Sequence, residues 1–373
     1  MRAHAWPPAK VRARFVRIAY LVHGVDGRGS GVRAKILSQA ETWADLRPEL
    51  RIGLFVRSEA GSEAEWIGQP HVERVRASRA GIAGRLVQRE MLSLEVARWR
   101  PDLIYLRQST VSPSVALLAA SFPTIVELNT LDLAELRIRS RGRYHFARAT
   151  RGLVLRRARG LVAVTNEIAE HGSVRRLHRP IVTIPNGIDL TLYPPLAAPA
   201  NRDPRLVFLG APRLAWHGLD KISELARLCP SWHFDVIGPE REELSGHPPN
   251  VTVHGLLAPP EYEPVLARAD VALGPLALHR KRMHEASPLK VGEYLARGIP
   301  TIIGYADTRF PDGAPFLLQV PNSENNVAAS LDRIRAFVSG WMGRRVDREA
   351  IASIDSRRTE SDRLRFILPL AGN

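Results

Sequence analysis

The strongest constraint on what this chain can fold into is a rhythm. Short runs rich in β-branched and other apolar residues, each ending in Gly, Asn or a polar residue, alternate with longer amphipathic stretches. In the first half the runs are VRIAYLVHG (16–24), RIGLFVR (51–57), DLIYLRQ (102–108), TIVELNT (124–130), LVAVTN (161–166) and IVTIPNG (181–187). The rhythm restarts with RLVFLG (205–210), HFDVIG (233–238), VTVHG (251–255), VALGPL (271–276) and TIIGY (301–305). Buried parallel strands read as continuous apolar runs, and a parallel pair needs a crossover between its members, usually a helix. The alternation therefore predicts βαβ units, and its two series predict an α/β chain of two doubly wound, Rossmann-like parallel-sheet domains.

Between the series lies YPPLAAPANRDP (193–204), dense in Pro and Ala and without periodicity, which reads as a linker. The chain is thus expected to divide into a first domain at 1–190, a linker at 191–204, a second domain at 205–345 and a helical final stretch at 346–373. Open α/β sheets bind ligands at the carboxyl ends of their strands, so two such domains facing each other enclose a cleft.

A length of 373 residues suits two domains of roughly 150 to 200 residues each. The hydrophobic share of 45% and charged share of 24% are those of a globular protein, not a disordered or collagenous one. A single cysteine, Cys229, excludes an internal disulfide framework and allows a reducing compartment. The first 24 residues carry positive charge but no apolar stretch of signal-peptide length, and no window approaches the roughly 18 consecutive apolar residues that span a bilayer. A cytoplasmic location, with peripheral contact at the inner face of the plasma membrane, is the expectation. What composition leaves to be explained is an excess of charge, 53 Lys and Arg against 38 Asp and Glu, or +15.

The most informative segment runs RMHEASPLKVGEYLARGIPTIIG from Arg282. Ser287 followed by Pro288 reads as a helix start, Ser capping free amides and Pro at the first helical position, while Gly298 and Pro300 mark the stop. A helix over about 288–297 would aim its N-terminal amides into the cleft, a good site for phosphate. Lys290 in the first turn opposes the helix dipole, and a bound diphosphate would account for it. Glu285 and Glu293 bracket this anion site with carboxylates able to accept hydrogen bonds from hydroxyls. Phosphate flanked by hydroxyls describes a sugar nucleotide.

At this point the residues resemble a family. Glu285, seven intervening residues and Glu293 look like the E-x7-E signature of retaining GT-B glycosyltransferases of family 4. IPNGID (184–189), FLGAPRLAWHGLDK (208–221), RADVALGPL (268–276) and GRGSGVRAK (27–35) resemble further elements of that family in the expected order. The resemblance implies a GT-B fold and a hexosyltransferase-type enzyme moving a sugar from a nucleotide diphosphate donor to a hydroxyl acceptor, a glycan, glycolipid or lipid-linked saccharide of the cell envelope. By the same resemblance Glu293 holds the nucleotide ribose and Glu285 contacts donor-sugar hydroxyls near the anomeric carbon. Gly29 and Gly31 would let backbone approach the diphosphate, with Arg213, His217, Ser287, Leu289 and Lys290 around it. Asn186 and Gly187 read as a turn at the interdomain hinge rather than as ligands.

Two positions depart from the family pattern. His217 stands where a Lys is usual, and either donates a hydrogen bond to phosphate or packs beside Trp216. Asn129 falls where many members place a His near the reacting sugar; it either hydrogen-bonds a sugar hydroxyl or caps the next turn. These departures keep alive a second reading, a GT-B pseudoenzyme that holds a sugar nucleotide or scaffolds a partner without transfer. No metal cofactor is expected, because the sequence has no Asp-x-Asp and no clustered ligand set.

The charge excess is local. From Arg137 to Arg159 there are nine Arg and no Asp or Glu, interleaved with Tyr144, Phe146, Leu153, Val154 and Leu155. Such a segment reads either as a solvated basic face or as a helix resting on anionic lipid, which would bring the cleft to a lipid-linked acceptor. No helix-turn-helix, zinc or RNP-type pattern accompanies it, so specific nucleic-acid binding is not expected.

Overall fold

The computed structural model describes residues 16–25, 31–77, 81–108 and 111–372. Seven parallel strands make the first sheet: β1 (Val16–Val25), β2 (Leu50–Ser58), β3 (Val72–Ala77), β4 (Leu103–Arg107), β5 (Thr124–Leu128), β6 (Gly160–Ala163) and β7 (Ile181–Thr183). Their order across the sheet is β3-β2-β1-β4-β5-β6-β7, with Ile18 of β1 opposite Ile52 on one side and Leu103 on the other. The second sheet contains β8 (Arg205–Leu209), β9 (His233–Ile237), β10 (Val251–Gly255) and β11 (Val271–Leu273). After the short β12 (Glu285–Ala286) come β13 (Thr301–Ile303), β14 (Ala306–Asp307) and β15 (Leu317–Gln319). The six-stranded order is β10-β9-β8-β11-β13-β15, again parallel, while β12 pairs only with β14.

Both sheets reverse their winding beside the first strand, between β1 and β4 and between β8 and β11. At such a switch point the crossovers leave in opposite directions and open a crevice at the carboxyl ends of the strands. All eleven sequence runs fall on sheet strands or their ends. Two edge strands were not legible as such: β3, VERVRA, alternates apolar and charged residues because an edge is half exposed, and β15 is only three residues long.

The domains share one apolar cluster, in which Ile188 and Leu190 of the connecting segment meet Val291, Tyr294 and Ile354. The turn before it is held by the C-terminal segment: Ile188 N–H donates to Ile354 O (2.9 Å) and Ser356 N–H to Ile188 O (2.9 Å). Gly187 is required there by close approach, since a Cβ would lie 2.3 Å from Thr359 Oγ1 and 2.8 Å from Ser356 Cα. From this anchor the helix Ser356–Ile367 runs back along the first domain's helix Gly31–Leu46, and Trp43 Nε1 donates to Glu360 Oε2 at 2.7 Å. Among the described residues no helix is long and apolar enough to cross a membrane.

Candidate active site

On the second-domain side the chain leaves β8 through Gly210 and reaches a short 3-10 turn, Ala215–His217, before helix Leu219–Leu228. His217 is buried, with its ring edge-on to Phe208 (5.4 Å between centroids). Lys290, from helix Leu289–Ala296, places Nζ 3.2 Å from His217 Nε2 and 4.6 Å from the centre of the Phe208 ring. Burial pushes the Lys290 ammonium down to about 7. Burial, and then the neighbouring Lys290, hold His217 well below the usual histidine range. The imidazole is therefore neutral and accepts from Lys290, and no described carboxylate pairs with that ammonium. His217 supplies no charge; Lys290 does.

The same helix does not start as its sequence suggests. Pro288 is the residue before the first turn, and Ser287 makes no capping hydrogen bond. Its Oγ instead accepts from Asn186 N–H (3.0 Å), and Ser287 O accepts from Asn186 Nδ2 (2.6 Å). A buried backbone N–H arriving from the other domain needs an acceptor more than the solvent-facing end of a helix does, and it takes the hydroxyl. Leu289 faces the first domain: a Cβ on Gly31 would lie 3.9 Å from Leu289 Cβ and Cδ1. Two helix N-termini, at Gly31 and Leu289, thus meet across the cleft beside Lys290. Gly29 lies outside the described residues.

Arg213 is elsewhere. Its backbone is left-handed (φ 60°), its N–H donates to Glu243 Oε2 (2.6 Å), and its guanidinium, 76% exposed, donates to Glu240 Oε1 (2.8 Å). The structure gives this arginine to a surface pair of acids rather than to the His217–Lys290 pocket.

The two glutamates are treated differently. Glu293 is buried and accepts from Tyr262 Oη (3.0 Å), and burial raises its carboxyl above the usual range. Glu285 is partly exposed on β12 and reaches across to the first domain. Its Oε2 accepts from Glu167 N–H (2.9 Å), while Glu167 Oε2 accepts from the N–H groups of His284 and Glu285 (2.8 Å each). This reciprocal clasp fixes the backbone at His284 and Glu285 together with the Glu285 carboxylate. Sequence reading had no signal for Glu167, whose partner is 118 residues away.

Asn129 caps nothing. Its Oδ1 accepts from Arg107 Nη1 (2.9 Å) and its Nδ2 donates to Glu127 Oε2 (3.0 Å). Glu127 is completely buried among Lys35 Nζ (2.8 Å), Arg107 Nη1 (3.2 Å) and Arg363 Nη1 (3.4 Å). Burial alone would raise its carboxyl, but these three cations outweigh it and hold it well below the usual carboxylate range. Lys35 is lowered to about 8 by burial and also donates to Asn186 Oδ1 (2.7 Å). Asn186 is thereby the joint between the Glu127 cluster and Ser287. The one sequence signal for this cluster was an acid in the middle of an apolar strand, TIVEL.

The arginine-rich stretch forms three short helices, Asp132–Arg139, Arg141–Thr150 and Gly152–Leu155. Arg151 is held by Asp132 and Arg139 by Glu135, but most of the others point outward. Among them Ile138 (45%), Phe146 (49%) and Leu153 (46%) are exposed apolar side chains.

Comparison with known proteins agrees with this architecture. Residues 31–192, most of the first domain, match the family model described as Glycosyltransferase Family 4. No curated protein sequence matches the chain. Among solved structures, a sucrose-phosphate synthase from Thermosynechococcus elongatus superposes with a TM-score of 0.70 at 17% identity, covering 95% of this chain and 99% of that one. Anabaena HepE in complex with UDP and glucose gives 0.63 at 16% identity, over 95% and 99% of the two chains. The lipopolysaccharide outer core galactosyltransferase WaaB gives 0.62 at 14%, over 95% and 99%. At such identities the likeness carries the fold, two facing Rossmann-like domains.

Proposed function

We propose that this chain, a glycosyltransferase of the GT-B type whose first domain matches family 4, moves a sugar from a nucleoside diphosphate donor to a hydroxyl acceptor with retention of anomeric configuration. The observation that carries the reading is the Lys290 pocket: a desolvated ammonium without a carboxylate partner, at the meeting of two helix N-termini in the cleft. A diphosphate supplies the charge that this arrangement lacks.

As the bond between the anomeric carbon and the β-phosphate oxygen breaks, negative charge gathers on the departing diphosphate. Lys290 and the amides at Gly31 and Leu289 stabilise it there. The acceptor oxygen bonds to the anomeric carbon from the face the phosphate leaves, and its proton passes to the phosphate oxygen. No protein base is needed for that transfer, which suits an Asn129 with both ends of its amide engaged. Glu293 is assigned to the ribose and Glu285 to donor-sugar hydroxyls. Lys290 and the two helix N-termini take the role of a resident metal, and the clasp between Glu167 and Glu285 holds the closed cleft that excludes water.

The acceptor is a glycan, glycolipid or lipid-linked saccharide of the cell envelope, a choice supported by the lipopolysaccharide galactosyltransferase among the structural relatives. The outward arginines with Ile138, Phe146 and Leu153 suit a face that rests on anionic lipid at the cytoplasmic side of a membrane.

A thermal-shift screen of UDP, GDP, ADP and dTDP with their sugars tests the donor site: at least one raises the melting temperature, by mass action, and Glu293→Ala loses the shift. Absence of any shift overturns the reading. The anomeric proton coupling of the product, read by NMR, tests retention.

A further inference from the structure

Beside the Glu285 clasp lies a cavity of about 460 Å³ between the first domain's helix Asp132–Arg139 and the second domain's residues 280–282. Its walls are apolar where Leu131, Leu133, Ala134 and Ile138 contribute, and no carboxylate lines it. Five cationic side chains do. Three are neutralised: Arg151 by Asp132, Arg280 by Asp220 and Glu324, and Lys281 by Glu135. Arg137 and Arg282 have no partner among the described residues, and Arg282 sits on a left-handed backbone (φ 54°) that a side chain rarely adopts.

The cavity adjoins the proposed chemistry through the chain itself. Arg282 lies three residues before Glu285, and His171 of the wall follows the helix Asn166–Glu170 whose Glu167 clasps Glu285. A pocket of this size with an aliphatic wall and two exposed, unpaired cations in its lining fits a saccharide bearing an anion.

We propose that this cavity is the acceptor subsite and that it selects an anionic saccharide, its phosphate or carboxylate engaged by Arg137 and Arg282 and its less polar face by the aliphatic wall. The proposal rests on the glycosyltransferase reading and names the acceptor class for it.

The test measures binding of glucose 6-phosphate, glucuronate and glucose to the full chain saturated with UDP, by NMR titration. The anionic sugars bind about tenfold more tightly than glucose, and Arg137→Ala and Arg282→Ala each remove most of that preference. Arg137→Lys and Arg282→Lys keep part of it, and unchanged UDP binding shows that the variants are folded. A stronger response to glucose 6-phosphate identifies a phosphorylated acceptor, and one to glucuronate a uronate. Equal binding of the three sugars, or a preference that survives both alanine variants while UDP still binds, overturns the proposal and leaves the glycosyltransferase reading standing. Failure of the wild-type chain to bind any of UDP, GDP, ADP and dTDP overturns both.

Discussion

Lys290 Nζ stands 3.2 Å from His217 Nε2, a basic pair that shares one proton where a family pattern would place two cations. The histidine is the acceptor in this pair, and so the second-domain phosphate pocket has a charge that depends on pH near neutrality. Substituting His217 by Lys would put two like charges side by side; the histidine instead gives the ammonium a neutral hydrogen-bond partner.

Proton uptake on nucleotide binding follows. With Lys290 lowered to about 7, most of this side chain is neutral at pH 8. A bound diphosphate raises it again, so binding draws a proton from solution. The terminal phosphate of a nucleoside diphosphate, with a second pKa of about 6, is already ionised at pH 8 and does not contribute. Calorimetric titration of UDP at pH 8 in buffers of different ionisation enthalpy is expected to show uptake approaching one proton, and Lys290→Gln to abolish it. The sign for folding is the opposite: the unfolded chain holds this proton up to about 10.5 and the folded chain only to about 7, so folding releases it and this group's contribution to stability rises with pH between those values.

Removing the carboxylates separates donor binding from chemistry. Each charge-assisted hydrogen bond from a sugar hydroxyl is worth about 1.5–3 kcal/mol. Glu293→Ala is expected to raise the KM for the donor by one to two orders of magnitude, and Glu285→Ala to lower kcat by a similar factor. Glu167→Ala, which frees the backbone N–H groups of His284 and Glu285 without touching the sugar, falls between them and acts on kcat. Steady-state rates of nucleotide release check all three, and a Glu167→Ala enzyme as active as the parent would remove the clasp from the mechanism.

These residues differ in how far they could be read from sequence. The shared helix of Lys290 and Glu293 was legible because helix start and stop signals are local. Ser287 was legible as a cap and is not one, because its partner, Asn186 N–H, is 101 residues away. Arg213 fitted a pattern of spacing, but Glu240 and Glu243 come back beside it from the following loop. In the cluster of Lys35, Arg107, Glu127 and Arg363 the bond from Arg363 to Glu127 alone spans 236 positions, and sheet order and the returning C-terminal helix bring the four together. The eleven strand runs needed no such long-range information, since a strand buried on both faces is apolar whatever its neighbours are.

That cluster also sets the stability of the first domain. Arg363, with no exposure, bonds Glu360 Oε2 (2.8 Å), Tyr105 Oη (2.7 Å) and Glu127 Oε1 (3.4 Å). Arg363→Met roughly keeps the volume and takes the guanidinium from two buried acids, leaving Glu127 with Lys35 and Arg107 and Glu360 with only the Trp43 N–H, a change that costs about 3–5 kcal/mol. Chemical denaturation followed by tryptophan fluorescence, in a chain whose Trp43 donates to Glu360, should show the loss, and a midpoint unchanged from wild type would mean the ion cluster contributes no net stability.

The turn at Gly187 tests the return of the C-terminal helix. A Cβ there meets Thr359 Oγ1 at 2.3 Å and Ser356 Cα at 2.8 Å, and the second contact is backbone that cannot rotate away. Gly187→Ala is therefore expected to cost about 1–3 kcal/mol through overpacking. The C-terminal helix should also become more open to proteolysis between residues 344 and 356, and Thr359→Ala in the same chain should rescue only part of the loss.

The basic face makes its own prediction, independent of the cleft. Phe146 (49% exposed) and Leu153 (46%) lie on consecutive helices with Arg148, Arg156 and Arg157, all exposed and without a carboxylate partner among the described residues. Each arginine close to an anionic surface contributes about 1 kcal/mol of attraction, and the effect is confined to a Debye length of about 8 Å at physiological salt. The protein is expected to float with vesicles containing 30 mole per cent phosphatidylglycerol, on the order of the anionic content that makes such attraction measurable. It should remain behind with pure phosphatidylcholine. Phe146→Asp with Leu153→Asp removes the apolar contact and adds repulsion, so flotation should fall about tenfold or more while nucleotide binding in the cleft is unchanged. Replacing Arg148, Arg156 and Arg157 by Gln should act in the same direction and abolish the dependence on salt. Flotation indifferent to both sets of substitutions would assign this face to solvent, and would leave the cationic cavity beside Glu285 as the place where the excess of +15 meets its partner.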